Sequence, residues 1–320
     1  MTQPSVRKNY IYRLFYELLI LITSLITAPY VSRVLGADGV GVYSYTSSIM
    51  SYFTLFAALG TVSYGAREIA QHRDDQQASS KLFWEIELMT VFTSSVCIVA
   101  WIVVILVSTN YRPYFLALLP LLFGTMLDIS WYFTGYENVK NIVIRNSLCK
   151  IAGIVALFLF VREKSDLTLY ILLNSLITLI GNLSMWTYLP RMLTKVDFHT
   201  LRFKCHLKET MVYFVPTIAT SIYTVLDKTL IGVITQDEYQ NGYYEQANKI
   251  INLVKSLVFT AVNSVVGARM SYLFSKDMQD EIHRRITRSM DFIFFNRLWG
   301  SVRNPGRGRA VCSYFLRRRI

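Results

Sequence analysis

Charged residues are scarce in this sequence: Asp, Glu, Lys and Arg make up 17% of the 320 residues, against about 25% in an average soluble domain. Hydrophobic residues account for 53%, and the mean hydropathy is +0.35. The hydrophobic core of one soluble domain cannot bury so many apolar residues. The shortage of charge therefore excludes an ordinary soluble domain and predicts a chain that is largely surrounded by lipid.

Cysteine and histidine are also few, with four of each. The cysteines are Cys97, Cys149, Cys205 and Cys312, and no two of them form a CxxC pair. This spacing favours neither a metal site nor a disulfide framework. The sequence also lacks a phosphate-binding P-loop and a nucleophile elbow. We therefore predict no enzyme, no ATP-driven pump and no cofactor.

Eight apolar runs come close to the roughly 20 residues that a helix needs to cross a bilayer. They cover residues 14–35, 42–65, 88–107, 114–135, 143–161, 167–189, 211–234 and 243–268. The fifth is the weakest, because it contains Arg145 and Lys150. A ninth run begins near Thr287 and stops after Phe295. None alternates strictly between apolar and polar residues, so all are predicted to be helices.

The net charge of +12 could indicate nucleic-acid binding, but the basic residues lie in short segments between the apolar runs. On alternating sides of the predicted spans these segments hold 19 and 4 Lys and Arg residues. Cytoplasmic loops carry the excess of positive charge in membrane proteins. The distribution therefore predicts a cytoplasmic N-terminus and argues against nucleic acid as a partner.

A short pattern occurs twice. Ser32–Gly36 followed by Gly41–Tyr43 joins the first span to the second, and Lys228–Gly232 followed by Gly242–Tyr244 joins the seventh to the eighth. Both copies connect an outward span to an inward one, as in transporters built from parallel repeats. The repeat predicts an all-α polytopic membrane bundle with one six-helix lobe and the start of a second.

These observations divide the chain into three parts: residues 1–195 as the first lobe, 196–295 as an incomplete second lobe, and 296–320 as a basic tail. The tail contains seven Arg and no acidic residue, and it interrupts the ninth apolar run. A half-length span that ends in a basic tail has no use in a membrane. We expect the tail to be the product of a frameshift; an ordinary basic cytoplasmic tail is the alternative.

Charged groups inside spans are costly and usually face a cavity or a partner. On the eighth span, polar residues fall on one face of the helix. Asp227 and Lys228, on the seventh span, lie at about the same predicted depth in the membrane as Glu245 and Lys249 on the eighth. The predicted cavity-lining or substrate-binding residues are Lys228, Lys249, Lys255, Asp227, Glu245 and Asn252. The lysines could attract an anionic headgroup. Alternatively, they pair with Asp227 or Glu245 and fix the packing of the helices.

Two further carboxyl groups, Glu17 in the first span and Asp128 in the fourth, are candidates for binding a coupling ion. For Glu17 the alternative is an ordinary surface pair with Arg13, four residues earlier on the same helical face.

Four segments in order resemble one family: Ala28–Ser44, Leu59–Ala70, Leu226–Thr229 and Gly242–Ile250. Together they are similar to the polysaccharide-exporter flippases, which carry O-antigen and capsule repeat units and share a superfamily with the MATE drug exporters. The resemblance implies two lobes around a central cavity. The chain would then lack most of its second lobe and would itself be inactive in transport.

The resemblance also implies a function. The expected role is a flippase that moves undecaprenyl-pyrophosphate-linked oligosaccharides across the bacterial inner membrane. Its expected partners are the lipid-linked oligosaccharide, membrane lipid, and the polysaccharide polymerase and export machinery. The alternatives are a cation-coupled drug exporter and a membrane glycan polymerase or acyltransferase. An enzyme of that kind should have a large outer loop with clustered polar residues, and the outer loops here are short.

Overall fold

In this computed structural model, residues 6–253 and 255 are described. All of their regular elements are helical, which confirms the predicted all-α polytopic membrane fold. The helices are α1 (Val6–Ala58), α2 (Thr61–His72), α3 (Gln76–Val107), α4 (Arg112–Met126), α5 (Ser130–Gly135), α6 (Val139–Phe160), α7 (Leu167–Met185), α8 (Phe203–Thr235) and α9 (residues 238–250). These helices belong to one compact unit that extends to Ile250.

Helix α1 contains the first predicted span and most of the second, joined at Gly36, and the second span ends in α2. The backbone at Gly36 has φ 73° and ψ 174°, a conformation that glycine adopts at little cost. Before this break, the Tyr30 hydroxyl donates to the Val161 carbonyl, just after α6, at 2.8 Å. After it, Tyr45 packs against Tyr111 at the start of α4, with ring centroids 5.2 Å apart. The helix therefore reaches one end of the bundle at Gly36 and turns back.

Six helical stretches in the described part of the chain are long and apolar enough to cross a membrane, and the first of them, Leu14–His72, has 59 residues. That is enough for two crossings at about 20 residues each. With the break at Gly36, the six stretches supply the first seven predicted spans. The eighth continues beyond the described residues. The ninth run and the tail at 296–320 lie outside them, and the lobe boundary at 195 stays a prediction.

The fourth span is not one helix, contrary to the continuous run in the sequence. Helix α4 ends at Met126 and α5 begins at Ser130. Between them, Asp128 Oδ1 accepts a hydrogen bond from the Ser130 backbone N–H at 3.0 Å. An Asp side chain that binds a nearby backbone N–H competes with the helical pattern, which accounts for the interruption.

The charge in the weak fifth span is compensated by hydrogen bonds. The Arg145 guanidinium donates to the Asn182 side-chain oxygen of α7 at 2.6 Å, and the Asn182 amide donates to the Gly124 carbonyl of α4 at 2.7 Å. Polar groups in a low-dielectric interior are tolerated when they are paired in this way. Arg145 thus connects three helices, which explains why this span forms despite its low hydrophobicity.

Helix α3 shows how the bundle divides core from surroundings. Trp101 and Ile105 are 0% and 4% exposed, whereas Val99 and Leu106 are 64% and 65% exposed. Large apolar side chains on the outer face would be unfavourable in water but suit a lipid environment. The buried aromatic residues therefore mark the protein interior, and the exposed aliphatic ones mark the surface for the membrane.

Candidate functional site

The two copies of the repeated pattern meet at one end of the bundle, which we call the Gly36 end. A Cβ atom on Gly41 would overlap the Glu238 carbonyl, and a Cβ atom on Gly242 would overlap the Ala37 carbonyl. Each copy therefore presses a glycine against the backbone of the other. Only glycine allows backbones to approach this closely.

A cluster of charged groups lies next to this contact. Glu245 of α9 pairs with Lys228 of α8 at 2.6 Å between Oε2 and Nζ, and with Lys249 at 3.7 Å between Oε1 and Nζ. The Ser44 hydroxyl of α1 also donates to Glu245 Oε2, at 3.2 Å. Glu245 thus joins α8 and α9 to the second half of α1.

The charges in this cluster do not cancel, because two ammonium groups share one carboxylate. The Glu245 side chain is 10% exposed, while those of Lys228 and Lys249 are 22% and 31% exposed. A buried ion pair gains little net stability once the loss of water is counted. Within this pairing one positive charge is left over and partly accessible, next to a junction between repeats; the neighbouring carboxylate of Asp227 binds the Tyr244 hydroxyl instead.

Further hydrogen bonds surround the charged cluster. The Tyr244 hydroxyl donates to Asp227 Oδ2 at 2.7 Å, and the Ser48 and Thr229 hydroxyls are 2.9 Å apart. At the start of α9, Glu238 accepts from the Tyr111 hydroxyl at 3.3 Å. Burial, together with the nearby Glu238 carboxylate, raises the pKa of the Tyr111 hydroxyl, so that this donor keeps its proton.

The structure brings together three of the six predicted cavity residues, namely Lys228, Glu245 and Lys249. Asp227 lies beside them, bound to Tyr244. Residues 251–253 and 255 are helical but belong to a second compact unit, so the roles of Asn252 and Lys255 stay predictions. The predicted ion pairing with Glu245 is present in this conformation, and substrate contact by the lysines is a proposal.

The two candidate coupling carboxylates lie elsewhere. Glu17 is exposed on the first half of α1, and Asp128 is half-buried in the break between α4 and α5. Their predicted role in binding a coupling ion stays a prediction. The backbone contact of Asp128 with Ser130 gives it a local structural role as well.

A second polar cluster, at what we call the His206 end, was not predicted from the sequence. His206 of α8 lies 3.0 Å from Glu85 of α3 through Nε2, and 2.6 Å from the Tyr64 hydroxyl of α2 through Nδ1. Tyr64 also donates to Glu209 at 2.8 Å, and the Arg202 backbone N–H donates to Glu85 at 2.8 Å. These contacts tie the first turn of α8 to α2 and α3.

A signal for this cluster was present in the sequence but ambiguous. The hydropathy of the third apolar run becomes high only from residue 88, so the predicted span leaves out Glu85 and Glu87. Helix α3 instead begins at Gln76, and both carboxyl groups lie on it and are buried. Glu85 and Glu87, within one turn before the apolar run, therefore belong to the buried part of the bundle. Hydropathy alone does not reveal their burial.

A helical bundle with paired charges at a junction between two repeated hairpins is the architecture of a multi-pass membrane transporter. Residues 6–273 match the family described as "Polysaccharide biosynthesis protein". The match covers most of the chain, and the chain belongs to this family, whose members are transporters and not enzymes.

Curated relatives agree with this assignment. Two proteins with the name "Putative O-antigen transporter" are similar to this chain: one from Escherichia coli strain K12, 24% identical over 263 residues, and one from Shigella dysenteriae, 22% identical over 254 residues. The alignments cover 79% and 78% of this chain and 62% and 63% of those proteins. The chain thus matches a little over three fifths of the length of these relatives.

A solved structure shares the fold. The MATE multidrug transporter DinF-BH superposes with a TM-score of 0.55 at 16% sequence identity. The superposition covers 78% of this chain and 61% of the transporter. At this identity the likeness shows that the two proteins share a fold.

Proposed function

We propose that this protein is a flippase that moves lipid-linked oligosaccharide repeat units across the bacterial inner membrane. The family and the names of its relatives support a polysaccharide exporter. The observation that carries the proposal is the Lys228–Glu245–Lys249 cluster between the two repeats. A net positive, partly accessible group inside a membrane suits a ligand with an anionic headgroup, such as a lipid pyrophosphate.

In this mechanism the substrate anion replaces Glu245 as the partner of the lysines. The 3.7 Å contact between Lys249 and Glu245 is longer than the 2.6 Å contact of Lys228, so Lys249 exchanges first. Rocking of the repeats separates Gly41 from Glu238 and opens the Gly36 end. A ligand shifts such a two-state equilibrium only by binding one state better than the other.

The proposal includes the orientation and the partners. The distribution of Lys and Arg supports an N-terminus in the cytoplasm and a Gly36 end on the outer side. The lipid tail of the substrate stays in the bilayer while the oligosaccharide crosses. The released repeat units pass to a polymerase and export machinery on the outer side.

The second candidate function is a cation-coupled drug exporter, which the likeness to the fold of DinF-BH favours. A cationic drug needs acidic groups in its site. Here the carboxylate of Glu245 is already shared by Lys228 and Lys249, and that of Asp227 accepts from Tyr244, which makes an anionic substrate the better match.

The test is binding of undecaprenyl pyrophosphate to the purified chain in lipid nanodiscs. We expect Lys249→Ala to weaken binding about tenfold, which corresponds to about 1.4 kcal/mol, and Lys249→Arg to weaken it less. Lys150→Ala, on an exposed site of α6, is the matched control. Equal binding by all variants would refute the role of the cluster.

The chain and the same variants are then compared in a strain that lacks its O-antigen flippase, which also tests the expectation that this chain is inactive in transport. Restored surface glycan supports the flippase; resistance to cationic dyes without restored glycan supports the drug exporter instead.

A further inference from the structure

Glu87 is a carboxyl group without a partner inside the helical bundle. It is 2% exposed, and neither of its oxygens has a hydrogen-bond partner. Within the described residues no Lys, Arg or His forms an ion pair with it. An ionised carboxylate in such a place loses its water and gains nothing in return. A bound cation or a proton on Glu87 is therefore needed to stabilise the carboxyl group at this buried position.

The charged group that acts on Glu87 is another carboxyl. Asp128, in the break between α4 and α5, lies near Glu87, because their chain neighbours Ile129 and Ile86 belong to one buried cluster, and a negative charge on Asp128 opposes one on Glu87. Two neighbouring carboxyl groups are most stable when at least one of them carries a proton. The surroundings of Glu87 thus add to the cost of its ionised form.

An unused hydrogen-bond donor lies in the same region. The indole Nε1 of Trp131 is buried and has no partner, although Trp101 and Trp186 donate to backbone carbonyls at 3.1 and 2.9 Å. Trp131 stacks on Phe83, one helical turn before Glu87, with ring centroids 5.6 Å apart. Trp131 also follows Asp128 by three residues, so the indole lies in the same part of the bundle as the two carboxyl groups.

The chemistry of this region favours a proton over a metal ion. An indole N–H cannot ligate a metal, and the described residues contain no group of three or more His, Cys, Asp or Glu side chains that could hold one. A protonated carboxyl needs no such set of ligands. The unused N–H of Trp131 can instead donate to a carbonyl oxygen or to a water molecule.

We propose that Glu87 is a proton-binding site, with Asp128 as the neighbouring carboxyl, and that this proton is exchanged during the transport cycle. Glu87 holds the proton while the region is closed, as in this conformation, and releases it when rocking of the helices admits water. The role in transport rests on the proposed function, whereas the bound proton does not.

Glu85 provides a matched control on the same helix. Its oxygens accept from His206 and from the Arg202 backbone N–H, so that an ionised Glu85 is compensated. Two residues along α3, Glu87 points to another side of the helix and has no such partners. Both are Glu side chains on the same helix and both are buried, so they differ mainly in their hydrogen bonds.

The first experiment is infrared spectroscopy of the purified chain in nanodiscs at neutral pH. The wild type and Glu85→Gln should show the carbonyl stretch of a protonated carboxyl group, and Glu87→Gln should lose it. Glu87→Asp, which keeps a carboxyl, should retain a band at a shifted frequency. Circular dichroism checks that each variant stays helical. A band unchanged in Glu87→Gln, or no band in the wild type, would overturn the proposal.

The second experiment measures glycan export in a flippase-deficient strain at several external pH values. Glu87→Gln should lower export at least tenfold and abolish its dependence on pH, while Glu87→Asp keeps that dependence. Normal, pH-dependent export by Glu87→Gln would refute the role in transport. If the wild type shows the infrared band but exports nothing, the proton site stands and the proposed function fails.

Discussion

Helix α8 is held to the rest of the bundle in two different ways at its two ends. At the Gly36 end, Lys228 of α8 pairs with Glu245 of α9 at partly exposed sites, and α9 in turn touches α1 through the two glycine contacts. At the His206 end, the side chains of His206 and Glu85 are 8% and 7% exposed and belong to a hydrogen-bonded cluster. Water can replace the lost partners at the first end, but only with difficulty at the second. The Gly36 end is therefore the easier one to open.

The first test establishes which end faces the outside of the cell. In a background without native cysteines, a Cys at Gln236, at the end of α8 near Gly36, should react fully with a membrane-impermeant thiol reagent in intact cells. A Cys at Gln77, at the start of α3, should not react. This follows from the excess of Lys and Arg on the side of the N-terminus. The reverse pattern would place the Gly36 end in the cytoplasm.

The largest loss of stability is expected at the His206 end. His206→Phe removes a hydrogen-bond partner from each of two buried groups, Glu85 and Tyr64, and should lower the free energy of unfolding by about 2–3 kcal/mol. Denaturant titration in mixed micelles measures the change. His199→Phe, at an exposed site, is the control and should change it little. If the two substitutions lowered the free energy of unfolding equally, the His206 end would not be the more strongly held end of α8.

A methyl group at the glycine contact should hold the Gly36 end open. Gly41→Ala or Gly242→Ala should cost about 1–2 kcal/mol, in the range of overpacked interiors. Each should also raise severalfold the rate at which a Cys at Ser44 is labelled. At Gly153 an added Cβ meets only Ile177, at 3.5 Å, so Gly153→Ala is the matched control. Unchanged labelling in the Gly41 variant would show that the contact does not close this end.

The smallest effects are expected from the two lysines. Lys228→Met should destabilise the protein by about 1 kcal/mol and Lys249→Met by only a few tenths, because both groups are partly exposed and the second contact is longer. Thermal unfolding in the same detergent compares them. A larger cost for Lys249→Met would mean that it supports the fold more than the exchange of a ligand.

Hydropathy predicted the spans well because the lipid-facing side chains of each helix lie in one continuous segment of the sequence. The equal depth of Lys228 and Glu245 also followed from the sequence, since a short loop joins their two helices. The contact of Glu245 with Ser44 joins residues about 200 positions apart, and nothing local indicates it. The break at Asp128 was missed because one side-chain hydrogen bond interrupts a run that is mostly apolar on both sides of it.

The burial of Glu85 and Glu87 was missed for another reason. Both carboxyl groups look solvated in the sequence, and their burial depends on contacts made by α3 with distant helices. Which of the two finds partners depends on the start of α8, more than 100 residues later. The direction of each side chain on α3, rather than its chemistry, therefore decides its surroundings.

The reciprocal glycine contact has the form of a twofold interface inside one polypeptide. In a symmetric homodimer, residue i of one subunit contacts residue j of the other and the reverse also holds, so a mutation always alters both contacts. Here Gly41 and Gly242 occupy those equivalent positions but are encoded separately. Because the two halves are fused in one chain, one glycine can be mutated while the other stays unchanged. Such an asymmetric variant cannot be made in a homodimer, and the unchanged contact serves as an internal control.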